Sequence, residues 1–177
     1  MFTLQRTGKG RTALRLLAPE GLTTEDFDQL AIALGVIARR ARKVGFVAAR
    51  RAAAHESVLT EWNGTETTNT AEHGDYIVAN LSPERAILRD AAGKPNVYVI
   101  LAAKFPDLYE RDIGRTEFGD VFRAKGVVEA LHLPGGFEIL APWGQLQVAG
   151  DGYVLRKGAE VYGNNRETFE ATYRVGG

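Results

Sequence analysis

The sequence predicts an α+β protein with two tandem, related β-rich units, preceded by a β-hairpin and one amphipathic helix. Two observations lead to this fold class. From residue 46 onward, short apolar runs alternate with glycine-containing turns, which is typical of short strands. An aromatic spacing of seven and then four residues also occurs twice. These aromatic residues are Tyr98, Phe105 and Tyr109 in the first copy and Tyr162, Phe169 and Tyr173 in the second.

Further features recur in the same order in both copies. A valine lies fifteen residues before a tryptophan in each, as Val47 before Trp62 and Val128 before Trp143. A Gly-Asp pair follows each tryptophan and precedes an aromatic residue and a valine. The offset between the copies falls from 81 to 64 residues, because the first copy has two polar insertions that we expect to be longer hairpin loops. The pattern predicts a tandem duplication.

Composition limits the class of protein. The chain has 177 residues, of which 45% are hydrophobic and 25% are charged, as in soluble globular proteins. It contains no cysteine, which excludes disulfides, thiolate nucleophiles and zinc–thiolate sites. No apolar run approaches the roughly 20 residues that span a bilayer, and the N-terminus lacks the apolar core of a secretory signal. We expect a cytoplasmic protein without membrane association.

We expect four segments along the chain. The first contains the hairpin, with a glycine-containing loop at residues 7–11, and the helix. The third is a charged connector that contains enough apolar residues to pack against its surroundings. The boundaries are 1–45 for the hairpin and helix, 46–110 for the first repeat, 111–126 for the connector and 127–177 for the second repeat.

The helix prediction covers residues 24–44. Thr23 or Thr24 can cap its N-terminus, acidic residues follow in the first turn, and Gly45 ends it. Apolar residues recur at steps of three and four, which predicts one buried stripe across both repeats. The stripe consists of Phe27, Leu30, Leu34, Ile37, Ala41 and Val44.

Four cations, Arg39, Arg40, Arg42 and Lys43, fall in the predicted last turns of this helix, where positive charge suits the helix dipole. Residues 1–55 hold ten Lys and Arg against four Asp and Glu, a net charge of +6. In one interpretation this region packs against the more acidic remainder of the chain. In the other, the four cations bind nucleic acid.

The repeated residues Trp62, Asp75, Trp143 and Asp151 are the candidate ligand-binding residues. In a structural interpretation, each aspartate accepts hydrogen bonds from the backbone amides that follow it, and the tryptophans cap the core. In a functional interpretation, the four line a pocket for a small ligand. The three histidines do not repeat between the copies, so we predict no catalytic residue, no metal site and no cofactor.

Residues 46–175 resemble the PGDYG-type domain, a small domain of phage, prophage and bacterial proteins that is named for its Pro-Gly-Asp motif. Both copies lack the proline, because His73 and Ala149 occupy its position. The resemblance implies a fold unit and no activity, since none is established for the family. The matching residues are Val47, Ala49, Trp62, Gly74, Asp75, Tyr98, Phe105 and Tyr109 in the first copy, and Val128, Ala130, Trp143, Gly144, Gly150, Asp151, Tyr162, Phe169 and Tyr173 in the second.

We therefore expect a non-catalytic binding or adaptor module whose partner is a protein or a small ligand. The resemblance implies a phage-related or bacterial-conflict setting. One alternative is a nucleotide sensor or an enzyme with a pocket that the repeated aspartates and tryptophans line. Another is a nucleic-acid-binding protein that uses the basic N-terminal helix.

Overall fold

The computed structural model describes residues 1–7, 13–62 and 64–176, and most of the predicted hairpin loop lies outside these ranges. Strands account for 53% of the residues and helices for 13%, which confirms the β-rich prediction. The helices are α1 Thr24–Leu34, α2 Phe105–Leu108 and α3 Arg166–Thr172. The strands are β1 Thr3–Thr7, β2 Ala13–Ala18, β3 Arg39–Lys43, β4 Phe46–Arg51, β5 Glu56–Trp62, β6 Thr65–Ala71, β7 Tyr76–Leu81, β8 Val97–Ile100, β9 Tyr109–Arg115, β10 Asp120–Ala124, β11 Val127–Leu133, β12 Phe137–Leu140, β13 Leu146–Ala149, β14 Gly152–Lys157, β15 Glu160–Asn165 and β16 Tyr173–Val175.

The chain divides into two compact units. The discontinuous unit consists of Met1–Lys43 and Val127–Gly177, and the continuous unit consists of Val44–Gly126. Among the described residues, no helix combines the length and apolar composition that crossing a bilayer requires.

The discontinuous unit contains two sheets. Its four-stranded sheet has the order β1-β2-β12-β13, with β2 and β12 parallel, and its five-stranded sheet has the order β15-β14-β11-β3-β16. One core contains Phe27 and Leu30 from α1 together with Phe137 and Leu131 from the sheets. A second core, on the other face of β11 and β14, contains Phe169 and the two strand residues Ala130 and Leu155.

The continuous unit contains a five-stranded sheet with the order β8-β7-β4-β10-β9 and the separate hairpin β5–β6. One face of the sheet packs against Phe105 and Tyr109. A smaller core joins Ile77 of the sheet to Val58 and Ala71 of the hairpin.

The predicted helix over residues 24–44 is correct only as far as Leu34. Thr23, one of the two predicted capping residues, begins the helix, and the structure adds a capping box between Thr23 and Asp26. Gly35 ends the helix with a φ of 67°, a left-handed conformation that favours glycine. Beyond it, Ile37 is 90% exposed, and Ala41 is buried as a strand residue of β3 instead of a helix residue.

The predicted connector, residues 111–126, consists mainly of two strands of the continuous sheet. Strand β9 includes Arg111–Arg115 and pairs with β10, which in turn pairs with β4. The segment packs, as predicted. It does so as two strands of the continuous sheet, however, and not as a connector between two complete units.

The two five-stranded sheets have corresponding strand orders. Strands β8, β7, β4, β10 and β9 in one correspond to β15, β14, β11, β3 and β16 in the other. The central pair β4–β10 is antiparallel, and so is β11–β3. Strand β3 directly precedes β4 along the chain, yet it pairs with β11; strand β10 directly precedes β11, yet it pairs with β4.

Candidate functional site

The two aromatic triplets lie in the cores of their respective units. Phe105 stacks on Tyr76, with ring centroids 3.8 Å apart, and lies 5.3 Å from Tyr109. In the other unit, the corresponding distances from Phe169 are 3.8 Å to the ring of Tyr153 and 5.2 Å to the ring of Tyr173. Phe105 and Phe169 are both buried, as predicted for residues that plug the sheet. Their rings are therefore part of the scaffold in both units.

The tyrosine hydroxyl groups beside these rings are also structural. The Tyr98 hydroxyl donates to Asn80 Oδ1 at 2.8 Å and lies 3.3 Å from the Tyr109 hydroxyl. Burial, followed by the influence of Tyr109, raises the pKa of Tyr98. Burial and the neighbouring Tyr173 raise the pKa of Tyr162 in the same way. Both phenols therefore stay protonated at neutral pH and hold the aromatic layer in place.

Asp75, the first predicted ligand residue, is only 7% exposed, and backbone amides occupy both carboxylate oxygens. Oδ1 accepts from the Ala102 amide at 2.9 Å, and Oδ2 accepts from the Glu72 amide at 3.0 Å. These two hydrogen bonds, with that from Ala102 the larger, lower the pKa of Asp75. The structural interpretation of the Gly-Asp pair predicted bonds to the amides that follow, whereas the donors are a preceding residue and a distant one.

We expect Asp75→Asn to destabilise the continuous unit at pH 7, because an amide cannot accept from both backbone donors as the carboxylate does. A carboxylate with a lowered pKa adds stability above its unfolded pKa, near 3.8, and loses it as the pH falls through the folded value. We expect urea unfolding to show a difference in the free energy of unfolding between wild type and variant that is smaller at pH 3 than at pH 7. A difference that is equal at both pH values would contradict this role.

Asp151, the corresponding aspartate, is partly exposed and has charged side-chain partners. His132 Nε2 lies 2.7 Å from Asp151 Oδ1, and Arg166 Nη1 lies 3.3 Å from Oδ2. The His132 ring stacks on Tyr153 at 4.7 Å, since the two residues are opposite each other in β11 and β14. The corresponding position in β4 holds Arg51, whose guanidinium covers the ring of Tyr76. The His–Asp pair is thus a feature of the discontinuous unit.

Sequence reasoning missed His132 because the residue does not repeat. The signal that could have found it is its place in the strand, two residues beyond Ala130 and on the same face. In the described ranges, no group of three or more His, Asp or Glu side chains is arranged to hold a metal ion.

The two tryptophans lie within their own units. Trp143 is 55% exposed in the β12–β13 turn, and its ring lies 5.4 Å from the ring of Tyr162. Trp62 is half-buried at the end of β5, in the other unit. A cleft of about 340 Å³ lies between β13 and β15, but amide side chains such as Gln147 and Asn164 line it, and neither Trp143 nor Asp151 does.

The four predicted nucleic-acid contacts do not form one patch, because they lie in strand β3 and not at a helix end. Strand geometry places alternate side chains on opposite faces of a sheet. Arg39 and Lys43 share the face of the buried Ala41, whereas Arg40 and Arg42 point to the opposite face. Lys43 is only partly exposed, and burial, followed by repulsion from Lys157, lowers its pKa.

Comparisons with known proteins identify no relatives of this chain. No family model matches it, and no curated protein or solved structure shows significant similarity.

Proposed function

We propose that the chain is a tandem duplication of a PGDYG-type unit in which the two copies exchange their first strands. Each copy would begin with β3 or β10 and end with β9 or β16. The corresponding strand orders support this proposal. The aromatic stacks of 3.8 Å support it too, because Phe105 stacks on Tyr76, one residue after Asp75, and Phe169 stacks on Tyr153, two residues after Asp151. The exchange also accounts for the division of the chain into a continuous and a discontinuous unit.

We further propose that the protein is a non-catalytic binding or adaptor module in a phage-related or bacterial-conflict setting. One observation carries this proposal: the aromatic triplets that recur in both units are buried or half-buried, whereas an exposed strand position beside them differs between the units. The shared aromatic residues stabilise the cores, whereas Arg51 and His132 occupy corresponding surface positions with different chemistry. A common scaffold with divergent surfaces is suited to recognition.

The second candidate function is a small-ligand sensor or an enzyme, with a nucleotide as the ligand class. The observation that favours it is the partly exposed Asp151, which is oriented by His132 and Arg166. A carboxylate beside an imidazole can transfer protons or orient a polar ligand. The same three groups also satisfy one another, which is why the binding module remains the leading proposal.

A thermal-shift screen of nucleotides and divalent metal ions separates the two functions. For a module that recognises a larger partner, we expect no small molecule to raise the Tm by several degrees in a manner that depends on Asp151. The decisive variant is Asp151→Asn, and Glu160→Gln is its control, because it removes one negative charge at an exposed position of the same unit. Stabilisation that is lost in Asp151→Asn and kept in Glu160→Gln would overturn the leading proposal.

A further inference from the structure

Three arginines occupy neighbouring positions of β3 and β16 in the discontinuous unit. Strand β3 lies between β11 and β16, and Arg42 stands directly opposite Arg174 in this antiparallel pairing. Arg40 lies two residues before Arg42 and therefore points to the same face of the sheet. All three side chains are exposed. We call Arg40, Arg42 and Arg174 the arginine face.

Like charges directly opposite each other destabilise an antiparallel pair. The corresponding strands of the continuous unit avoid this arrangement, because Arg123 of β10 stands opposite Glu110 of β9. Arg123 Nε donates to Glu110 Oε1 at 2.7 Å. The discontinuous unit thus has two arginines at a position where the other unit has a neutral ion pair.

Neighbouring carboxylates neutralise the arginine face only in part. Glu129 stands opposite Arg40, but it pairs with Arg156 Nη2 at 2.7 Å. Arg156 also binds Asp28 at 2.7 Å, so this cluster of one arginine and two carboxylates keeps one excess negative charge beside Arg40. Within the part of the chain that the structure describes, no carboxylate forms an ion pair with any of the three arginines.

The guanidinium of Arg174 is held in place at the edge of the sheet. Its Nη1 donates to the backbone carbonyls of Glu170 at 2.6 Å and Tyr173 at 2.8 Å. Carbonyl oxygens fix its orientation without cancelling its charge. Arginine also presents a planar set of donors that matches phosphate oxygens and can bind them in a bidentate manner.

We propose that the arginine face binds the phosphate backbone of a nucleic acid. The inference rests on the proposed function of a binding module and names its ligand. Charge complementarity supports a polyanion, and the spread of the three guanidinium groups over two neighbouring strands suits an extended chain better than a single enclosed anion. Contacts of this kind are independent of base sequence. Arg39 and Lys43 lie on the other face and take no part.

Fluorescence anisotropy with a labelled 20-nucleotide single strand of mixed sequence, and with its duplex, tests the proposal on the full-length chain. We expect dissociation constants of about 1–100 µM near 100 mM salt, as for sequence-independent binding. With three phosphate contacts, affinity should fall about 20-fold for the single strand and about 40-fold for the duplex between about 50 and 200 mM salt. No anisotropy change at about 100 µM protein in about 50 mM salt would overturn the proposal.

The continuous unit supplies a matched control. Arg42→Gln and Arg123→Gln each remove one positive charge at corresponding strand positions. We expect Arg42→Gln to weaken binding and to reduce the slope of log affinity against log salt by about 0.7–0.9, and Arg123→Gln to leave both unchanged. Equal losses in the two variants would mean that net charge alone drives binding, and would overturn the assignment to this face.

Arg174→Glu is the sharpest variant, because it places an Arg–Glu pair where the other unit already has one. We expect it to fold with a Tm close to that of wild type and to lose binding, since it removes one phosphate contact and neutralises another. Wild-type affinity in a folded Arg174→Glu protein would contradict the proposal. If that variant does not fold, the double variant Arg40→Gln/Arg42→Gln replaces it. Loss of oligonucleotide binding would then support the proposal, and wild-type affinity would contradict it.

Two further arms distinguish other sources of phosphate. Inorganic phosphate and vesicles of phosphatidylserine and phosphatidylcholine are tested against wild type and Arg42→Gln. Binding of vesicles or phosphate without oligonucleotide binding would overturn the proposal. The nucleic-acid proposal is tested with the arginine variants, and the proposed binding module is tested by the thermal-shift screen with Asp151→Asn. The two proposals can therefore fail independently.

Discussion

Phe169→Ala is expected to lower the free energy of unfolding of the discontinuous unit by about 3–5 kcal/mol. The ring is 2% exposed and is packed between Tyr153 and Tyr173. Removing it leaves a cavity under α3 that the small strand residues Ala41 and Ala130 cannot fill. The two tyrosines also lose their stacking partner, which adds to the loss of buried apolar area.

Urea denaturation followed by tryptophan fluorescence measures this effect in a Trp62→Phe background, where Trp143 alone reports on the discontinuous unit. Phe105→Ala is the companion variant, with Trp62 retained and Trp143 replaced by phenylalanine. We expect a similar loss in the continuous unit, because Phe105 stacks on Tyr76 and also contacts Phe122. Near-wild-type unfolding of either alanine variant would show that these rings are not core residues and would revive a role in ligand binding.

Gly163→Ala is expected to cost about 1–3 kcal/mol, although it adds a single methyl group. A Cβ atom at Gly163 would lie 2.4 Å from Cε2 and 2.5 Å from Cζ of Phe137. Phe137 is only 1% exposed and packs in the core with Leu131 and Ile139, so its ring can move only at a cost in packing. The strand β15 must therefore shift away from β12, or the ring must leave its rotamer.

A double-mutant cycle with Phe137→Leu tests this cause by urea denaturation. The smaller side chain destabilises the protein on its own, but it should remove most of the clash, so the two free-energy changes should be clearly non-additive. Gly158→Ala is a control for the loss of glycine, because a Cβ at Gly158 meets no atom within 4 Å, although its φ of +58° adds local strain. Additive free-energy changes for Gly163→Ala and Phe137→Leu would show that the clash with Phe137 is not the cause, and that the glycine is needed only for its backbone conformation.

Several local features of this protein follow from the sequence by itself. The start of α1 was predictable because Thr23 and Asp26 satisfy the free amides of a helix end through neighbouring residues. The burial of Phe105 and Phe169 was predictable because large aromatic side chains at a repeated spacing need a core. The high strand content was predictable from the short apolar runs and the glycine-containing turns between them. In each case, residues close in sequence decide the outcome.

The tertiary structure alone decided where β3 belongs and what its cations can contact. An apolar stripe that includes Ala41 fits a helix, yet Gly35 ends α1, and hydrogen bonding to β11 and β16 makes this segment a strand. This change of period from 3.6 to 2 separates Arg39 from Arg40 and places Arg42 opposite Arg174. The partners of β3 are more than eighty residues away along the chain, and pairing at that range depends on sheet register, which local sequence does not encode.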